Sequence, residues 1–112
     1  MNGPWGTQPE ITSKAKRRAD RITLATYHEA RLADLLEHIR QGFAEYDAGR
    51  IDAFELDGIV HHYTLAAREL WKFCAVSGQQ ATFAVRTLEW WRQDGEERDW
   101  WELPERSPRR RW

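Results

Sequence analysis

The sequence has little cysteine, almost no net charge and no long apolar run. One cysteine in 112 residues cannot form an internal disulfide, and no cysteine cluster is present to bind zinc. No apolar stretch approaches the roughly 18 residues of a membrane span, and the N-terminus lacks the basic start and apolar run of a secretion signal. We therefore expect a cytoplasmic protein with no membrane partner, in which Cys74 is a core residue.

What the chain does have is the length and composition of one helical domain. A chain of 112 residues can bury roughly two-thirds of its unfolded surface, so folding requires neither a metal nor a disulfide. Hydrophobic residues make up 41% of the sequence and charged residues 31%, which is typical of a soluble, helix-rich protein.

The near-neutral charge conceals two basic ends on an acidic body. Residues 1–21 contain five basic and two acidic residues, residues 22–106 contain nine and sixteen, and residues 107–112 contain three arginines. Such ends suit a solvated face, an acidic protein partner or the phosphates of a nucleic acid. The nucleic-acid alternative assigns binding to Lys14, Lys16, Arg17, Arg18, Arg21, Arg109, Arg110 and Arg111.

The first part of the chain predicts an irregular arm followed by a long helix. Two glycines and two prolines in residues 1–12 predict the arm. Residues 13–48 predict a helix, because apolar positions recur there with the alternating spacing of three and four that helices use to pack lengthwise. This seam consists of Ile22, Ala25, Glu29, Leu32, Leu36, Ile39, Phe43 and Tyr46, and Leu35 widens the apolar stripe. We expect Glu29 either to bond Arg68 or Lys72 or to set the register of an oligomer interface.

A second helix is predicted over about 53–76, with a strong start signal. Asp52 and Glu55 have the spacing of a capping box, and Ile51 and Leu56 that of a hydrophobic staple. The short turn near Gly49 predicts an antiparallel hairpin, in which residues whose numbers add up to about 100 face each other.

A third helix is predicted over 78–94, with a Ser77–Gln80 capping box at its start and Gly95 at its end. Its inward residues are predicted to be Phe83, Ala84, Leu88 and Trp91. Asp94-Gly95 is also a hairpin-turn signal, so a β-hairpin is the alternative there. Residues 13–103 then form a single helical domain, and residues 104–112 a basic, disordered tail.

No arrangement of residues indicates an active site. The sequence contains no Gly-rich phosphate loop and no nucleophile elbow, so we predict neither an enzyme nor a cofactor. His38 and His62 lie level across the predicted hairpin with Asp34 nearby, a set that could hold a transition metal. Both histidines fall beside the seam, however, and we interpret them as bonded to neighbouring carboxylates or solvent, with no metal.

The seven tryptophans are the strongest functional signal. Adjacent residues on a helix point about 100° apart, so Trp90 and Trp91 cannot both face the core, and Trp100 and Trp101 are a similar pair. Exposed indoles are favoured at protein interfaces, while base stacking and membrane-surface contact are alternatives. The predicted partner-binding residues are Trp71, Trp90, Trp91, Trp100 and Trp101.

Together these patterns predict an all-α protein, a long antiparallel helical hairpin plus a third helix. One short extra helix cannot cover both sides of such long apolar stripes, so we expect a homodimer with a four-helix-type core. The predicted function is a non-enzymatic interaction module, a subunit or regulator. It would dock an unidentified protein through its Trp-rich C-terminal surface.

Overall fold

The structure is a computed structural model that describes the backbone of residues 3–106 and the side chains of residues 13–104. The described backbone forms α1 (Gly3–Asp47), α2 (Ala53–Cys74), α3 (Gly78–Asp94) and the short α4 (Leu103–Arg106). No strand occurs in residues 3–106, so the all-α class is confirmed. None of these helices combines the length and apolar character that crossing a membrane requires.

Helix α1 begins at Gly3, ten residues earlier than the sequence predicts. The irregular arm expected for residues 1–12 is therefore wrong from Gly3 onward. Pro4 lies in the first helical turn, where a missing backbone N–H costs nothing because no acceptor precedes it. At about 1.5 Å per residue, the 45 residues of α1 span roughly 67 Å.

The helix ends after α1 follow the local sequence signals with one exception. Asp52 accepts a hydrogen bond from the Glu55 amide, and the Glu55 side chain accepts one from the Asp52 amide, so the predicted capping box is present. Gly95 adopts the left-handed conformation, at φ 70°, that closes α3. The alternative β-hairpin at Asp94-Gly95 is wrong. Ser77 precedes α3 but makes no capping hydrogen bond, so the second predicted box is also wrong.

The face of α1 that packs against α2 is displaced from the predicted seam. Leu35 is buried in a cluster with Ala66 and Leu70, whereas Leu36 is 46% exposed. Gly42 explains the displacement, because a Cβ there would lie 3.2 Å from Leu56 Cδ1 and 3.3 Å from Ile59. The absent side chain lets α2 approach α1 on the side of Leu35 and Gly42.

Helix α3 packs against the N-terminal half of α1 through a second apolar cluster. Its buried members are Leu24, Ala81, Ala84, Val85 and Leu88. Asp20 is buried at the same contact, where its carboxylate accepts hydrogen bonds from Thr82 and Lys16. Phe83, predicted to face inward, is 62% exposed, because the chain buries Ala81 and Val85 on the inner face of α3 instead.

Candidate interaction surfaces

Trp100 is a core residue rather than part of a surface. Only 4% of it is exposed, and its indole N–H donates a 2.7 Å hydrogen bond to the Tyr27 hydroxyl. Burial raises the pKa of Tyr27, and the hydrogen bond from Trp100 partly offsets that effect. This hydrogen bond ties the segment after α3 to α1, and it satisfies the polar atom of a buried indole.

Phe73 lies at the centre of the aromatic cluster around Trp100. Its ring centroid is 5.4 Å from that of Trp91, 5.6 Å from that of Trp100 and 6.1 Å from that of Tyr27. The Arg98 guanidinium carbon lies 4.9 Å from the centre of the Trp91 ring and 5.5 Å from that of Trp100. Trp91 is therefore half-buried by contacts within the chain, and the cluster holds α1, α2 and α3 together.

Trp101 covers one side of the α1–α2 pair. Its ring is stacked on His38 at 4.0 Å between centroids, and lies 4.3 Å from the ring of His62. His62 Nε2 donates to the Trp101 carbonyl at 2.6 Å, which places a proton on that nitrogen. We call this side, with Arg31, Asp34, His38 and His62, the covered flank. The two histidines, predicted to bond neighbouring carboxylates or solvent, both contact one tryptophan.

The covered flank also contains a shallow cleft of about 330 Å³ beside Trp101. Arg31 lies in it, with its Nε 2.9 Å from an Asp34 carboxylate oxygen and Nη1 4.0 Å from Glu97. No group of three or more histidine, cysteine or acidic side chains in the described part of the chain is arranged to hold a metal ion. The cleft contains both cations and carboxylates, so it carries no strong charge of one sign.

The opposite side of the α1–α2 pair is defined by helical geometry. On α1, His38 lies about 60° to one side of Leu35 and Leu36 about 100° to the other. On α2, His62 lies about 80° to one side of Leu70 and Trp71 about 100° to the other. Because Trp101 contacts both histidines, the remaining sides of the two helices also lie together.

We call this second side the open flank. Its members are Leu32, Leu36 and Phe43 on α1 and Val60, Ala67 and Trp71 on α2. Leu36 and Phe43 are about half exposed, Val60 is 38% exposed and Trp71 59%. Leu32 and Ala67 are half-buried at its base, where they pack on the core. The open flank thus presents large apolar side chains from both helices to solvent.

A second exposed apolar surface lies on α3. Phe83 and Trp90 are separated by seven residues, so they lie on one side of the helix about two turns apart. Phe83 is 62% exposed and Trp90 52%. Thr87 lies between them and its hydroxyl donates to the Phe83 carbonyl. We call this pair, with Thr87, the α3 surface.

The predicted partner-binding tryptophans therefore separate into three environments. Trp71 and Trp90 are exposed on different surfaces, Trp91 and Trp101 are half-buried against core residues, and Trp100 is buried. The sequence does not reveal the burial of Trp100, because its hydrogen-bond partner Tyr27 lies 73 residues away and no local pattern joins the two. The prediction therefore placed Trp100 on a docking surface. It also missed Leu36, Phe43 and Phe83 as surface residues, since their periodicity marks them as apolar but not as unpartnered.

The basic residues of the alternative prediction are described in part. Lys14, Lys16, Arg17, Arg18 and Arg21 are all exposed on α1, and Lys16 forms an ion pair with Asp20 at 3.0 Å. Arg109, Arg110 and Arg111, with the rest of the predicted tail from residue 107, lie outside the described residues. The prediction of disorder is wrong for residues 104–106, which are helical in α4.

Three comparisons with known proteins complete the description of these surfaces. A scan against protein-family models, a search of the curated proteins and a search of the solved structures each gave no match.

Proposed function

We propose that the chain is a non-enzymatic interaction module, a helical-hairpin homodimer that serves as a subunit or regulator and docks another protein. The observation that carries this proposal is the exposure of large apolar side chains on two separate surfaces of the described residues, the open flank and the α3 surface. Trp90 and Phe83 remain exposed although α3 has a complete apolar face packed against α1. Exposed tryptophan and phenylalanine provide much contact area for little loss of conformational entropy.

The α3 surface is the docking site for the protein partner in this proposal. Its two aromatic side chains have the spacing at which a groove or a second helix receives anchors from one helix face. The C-terminal tryptophans Trp100 and Trp101 fix the segment that follows α3 to α1 and α2. The proposal also includes a cytoplasmic location for the chain and its partner.

The test is affinity capture from the native host with three versions of the full chain as bait. We expect the wild type to retain a specific protein in stoichiometric amount, and Phe83→Ala/Trp90→Ala to lose it. Phe54→Ala is the matched control, since Phe54 is an exposed phenylalanine on α2 away from the α3 surface. Equal retention by all three baits would contradict docking at the α3 surface.

A nucleic-acid-binding accessory protein is the second candidate function. It is favoured by the exposure of Lys14, Arg17, Arg18 and Arg21 along one end of α1. Phosphate contacts strengthen as salt concentration falls. Absence of binding to single-stranded and duplex DNA and RNA at low salt would remove this candidate.

A further inference from the structure

We propose that the open flank binds the open flank of a second copy of this chain, with α1 antiparallel to α1 and α2 antiparallel to α2. The inference rests on the homodimer of the proposed function and assigns its interface, its symmetry and its register. The covered flank is closed by Trp101 and cannot take part, so the two copies meet through one side of each α1–α2 pair.

The spacing of apolar residues on α1 is self-complementary in an antiparallel pair. From Ile22 to Tyr46 the alternating steps of three and four read the same in both directions, about a midpoint at residue 34. Leu32 then meets Leu36 of the second copy, and Ala25 meets Phe43. A small side chain faces the largest one, which lets the helices approach along their whole length.

The exposed positions of α2 give a second pairing with an independent midpoint. Val60 meets Trp71 of the second copy, and Thr64 meets Ala67, about a midpoint between residues 65 and 66. Contacts between α1 and α2 show which residues of the two helices lie level with each other, since Gly42 faces Ile59 and Tyr27 faces Phe73. Residue 34 of α1 is therefore level with residues 65–66 of α2. One two-fold axis satisfies both pairings, as a closed dimer requires.

The charges at the two ends of the open flank are complementary in the same arrangement. Residues 14–21 contain five cations and one carboxylate, and residues 45–57 contain five carboxylates and one guanidinium. The antiparallel pairing places Arg21 level with Asp47 of the second copy, where its α1 ends, and residues 14–20 extend past that end. The basic end thus begins beside the acidic end of the second copy, which favours this orientation and steers association.

Glu29 acquires a partner in this dimer. It is exposed in the single chain, and Lys72, one of its predicted partners, is paired with Glu69 at 3.3 Å. Across the antiparallel interface Glu29 lies beside Ile39 and Arg40 of the second copy. Arg40 is exposed and pairs with Glu37 at 3.2 Å, and it directly follows the seam residue Ile39, so its guanidinium has N–H groups left to donate to Glu29 of the second copy.

The interface is tested by sedimentation equilibrium at micromolar concentration. We expect the wild type to be a dimer, and Leu36→Glu to raise the dissociation constant at least about a hundredfold, because two leucines lose their buried contacts and two charges are introduced. Phe83→Glu is the matched control, which changes an equally apolar exposed residue on α3 and leaves the dimer intact. A monomeric wild type, an unaffected Leu36→Glu or a monomeric Phe83→Glu would overturn the proposal.

The orientation is tested by a charge swap at exposed positions that does not put the fold at risk. Glu29→Arg and Arg40→Glu each place like charges together twice per dimer, so each raises the dissociation constant about tenfold. The double variant Glu29→Arg/Arg40→Glu restores it to within about threefold of the wild type. A double variant no tighter than the single ones would overturn the antiparallel register. A wild-type monomer that still retains a protein through Trp90 would overturn the dimer and leave the docking function standing.

Discussion

The two flanks of the α1–α2 pair differ in polarity and in whether a segment of the same chain covers them. The covered flank is the more polar one, with Arg31, Asp34, His38 and His62, yet it is the side on which the chain places Trp101. The open flank carries leucine, phenylalanine, valine and tryptophan side chains and receives no segment from residues 13–104.

This difference teaches that hydrophobicity alone does not decide which side of a helix pair its own chain covers. Hydrogen bonds anchor the covering segment, through Trp100 to Tyr27 and through the Trp101 carbonyl to His62. The open flank is formed mainly by apolar side chains, so in the dimer that we propose its contact depends chiefly on apolar area. In the dimer that we propose, the open flank binds a second copy, whereas the covered flank binds Trp101 of its own chain.

The largest expected effect is on stability, and it comes from replacing Trp100, the buried indole of the segment that follows α3. Trp100→Ala should lower the free energy of unfolding by about 3–5 kcal/mol, because it leaves a cavity among Leu35, Leu70 and Phe73 and removes the donor to Tyr27. Urea denaturation followed by circular dichroism measures this change.

Trp71→Ala is the matched control on the open flank. At protein concentrations below the dissociation constant of the proposed dimer, this substitution should change the unfolding free energy by less than about 1 kcal/mol, since the indole is 59% exposed. Equal losses for the two variants would mean that the flanks do not differ as described.

A smaller effect tests how completely water is excluded from the core that lies beneath both flanks. Burial raises the pKa of the Cys74 thiol from 9.0 to about 11. The thiolate therefore forms more readily in the unfolded chain, so this contribution to stability is present below pH 9 and is lost between pH 9 and pH 11. We expect a loss of about 1–2 kcal/mol over that range, measured by urea denaturation at each pH.

Cys74→Ala provides the control for the pH dependence. The variant should lose less stability between pH 9 and pH 11 than the wild type, and Tyr27, whose pKa is also raised by burial, accounts for part of the slope that remains. An unchanged slope would show that Cys74 is not desolvated in the folded chain.

The sequence predicts the elements of this fold better than their contacts. The α2 start at Asp52, the end of α3 at Gly95 and the burial of Cys74 follow from local rules, and the structure confirms them. The register of α1 does not follow from local rules. Two neighbouring stripes compete to face α2, one with Leu36 and Phe43 and the other with Leu35 and Gly42, and the close approach at Gly42 decides between them.

The candidate surfaces were predictable in part for the same reason. Exposure of one member of the Trp90/Trp91 pair follows from helical geometry, and the structure exposes Trp90 more than Trp91. The burial of Trp100 depends on a hydrogen bond to Tyr27 across 73 residues, which no periodicity encodes. The seam residues Leu36 and Phe43 were recognised as apolar, but their exposure required knowing what α2 contacts instead.

The central claim is that the open flank, and not the α3 surface, receives the second copy. Hydroxyl-radical footprinting read by mass spectrometry tests it in the unmodified chain, by comparing the oxidation rates of Trp71 and Trp90 as the protein is concentrated through dimer formation. The account predicts that the rate at Trp71 falls several-fold while the rate at Trp90 stays constant. Constant rates at both tryptophans, or protection of Trp90 with Trp71 unchanged, would contradict it.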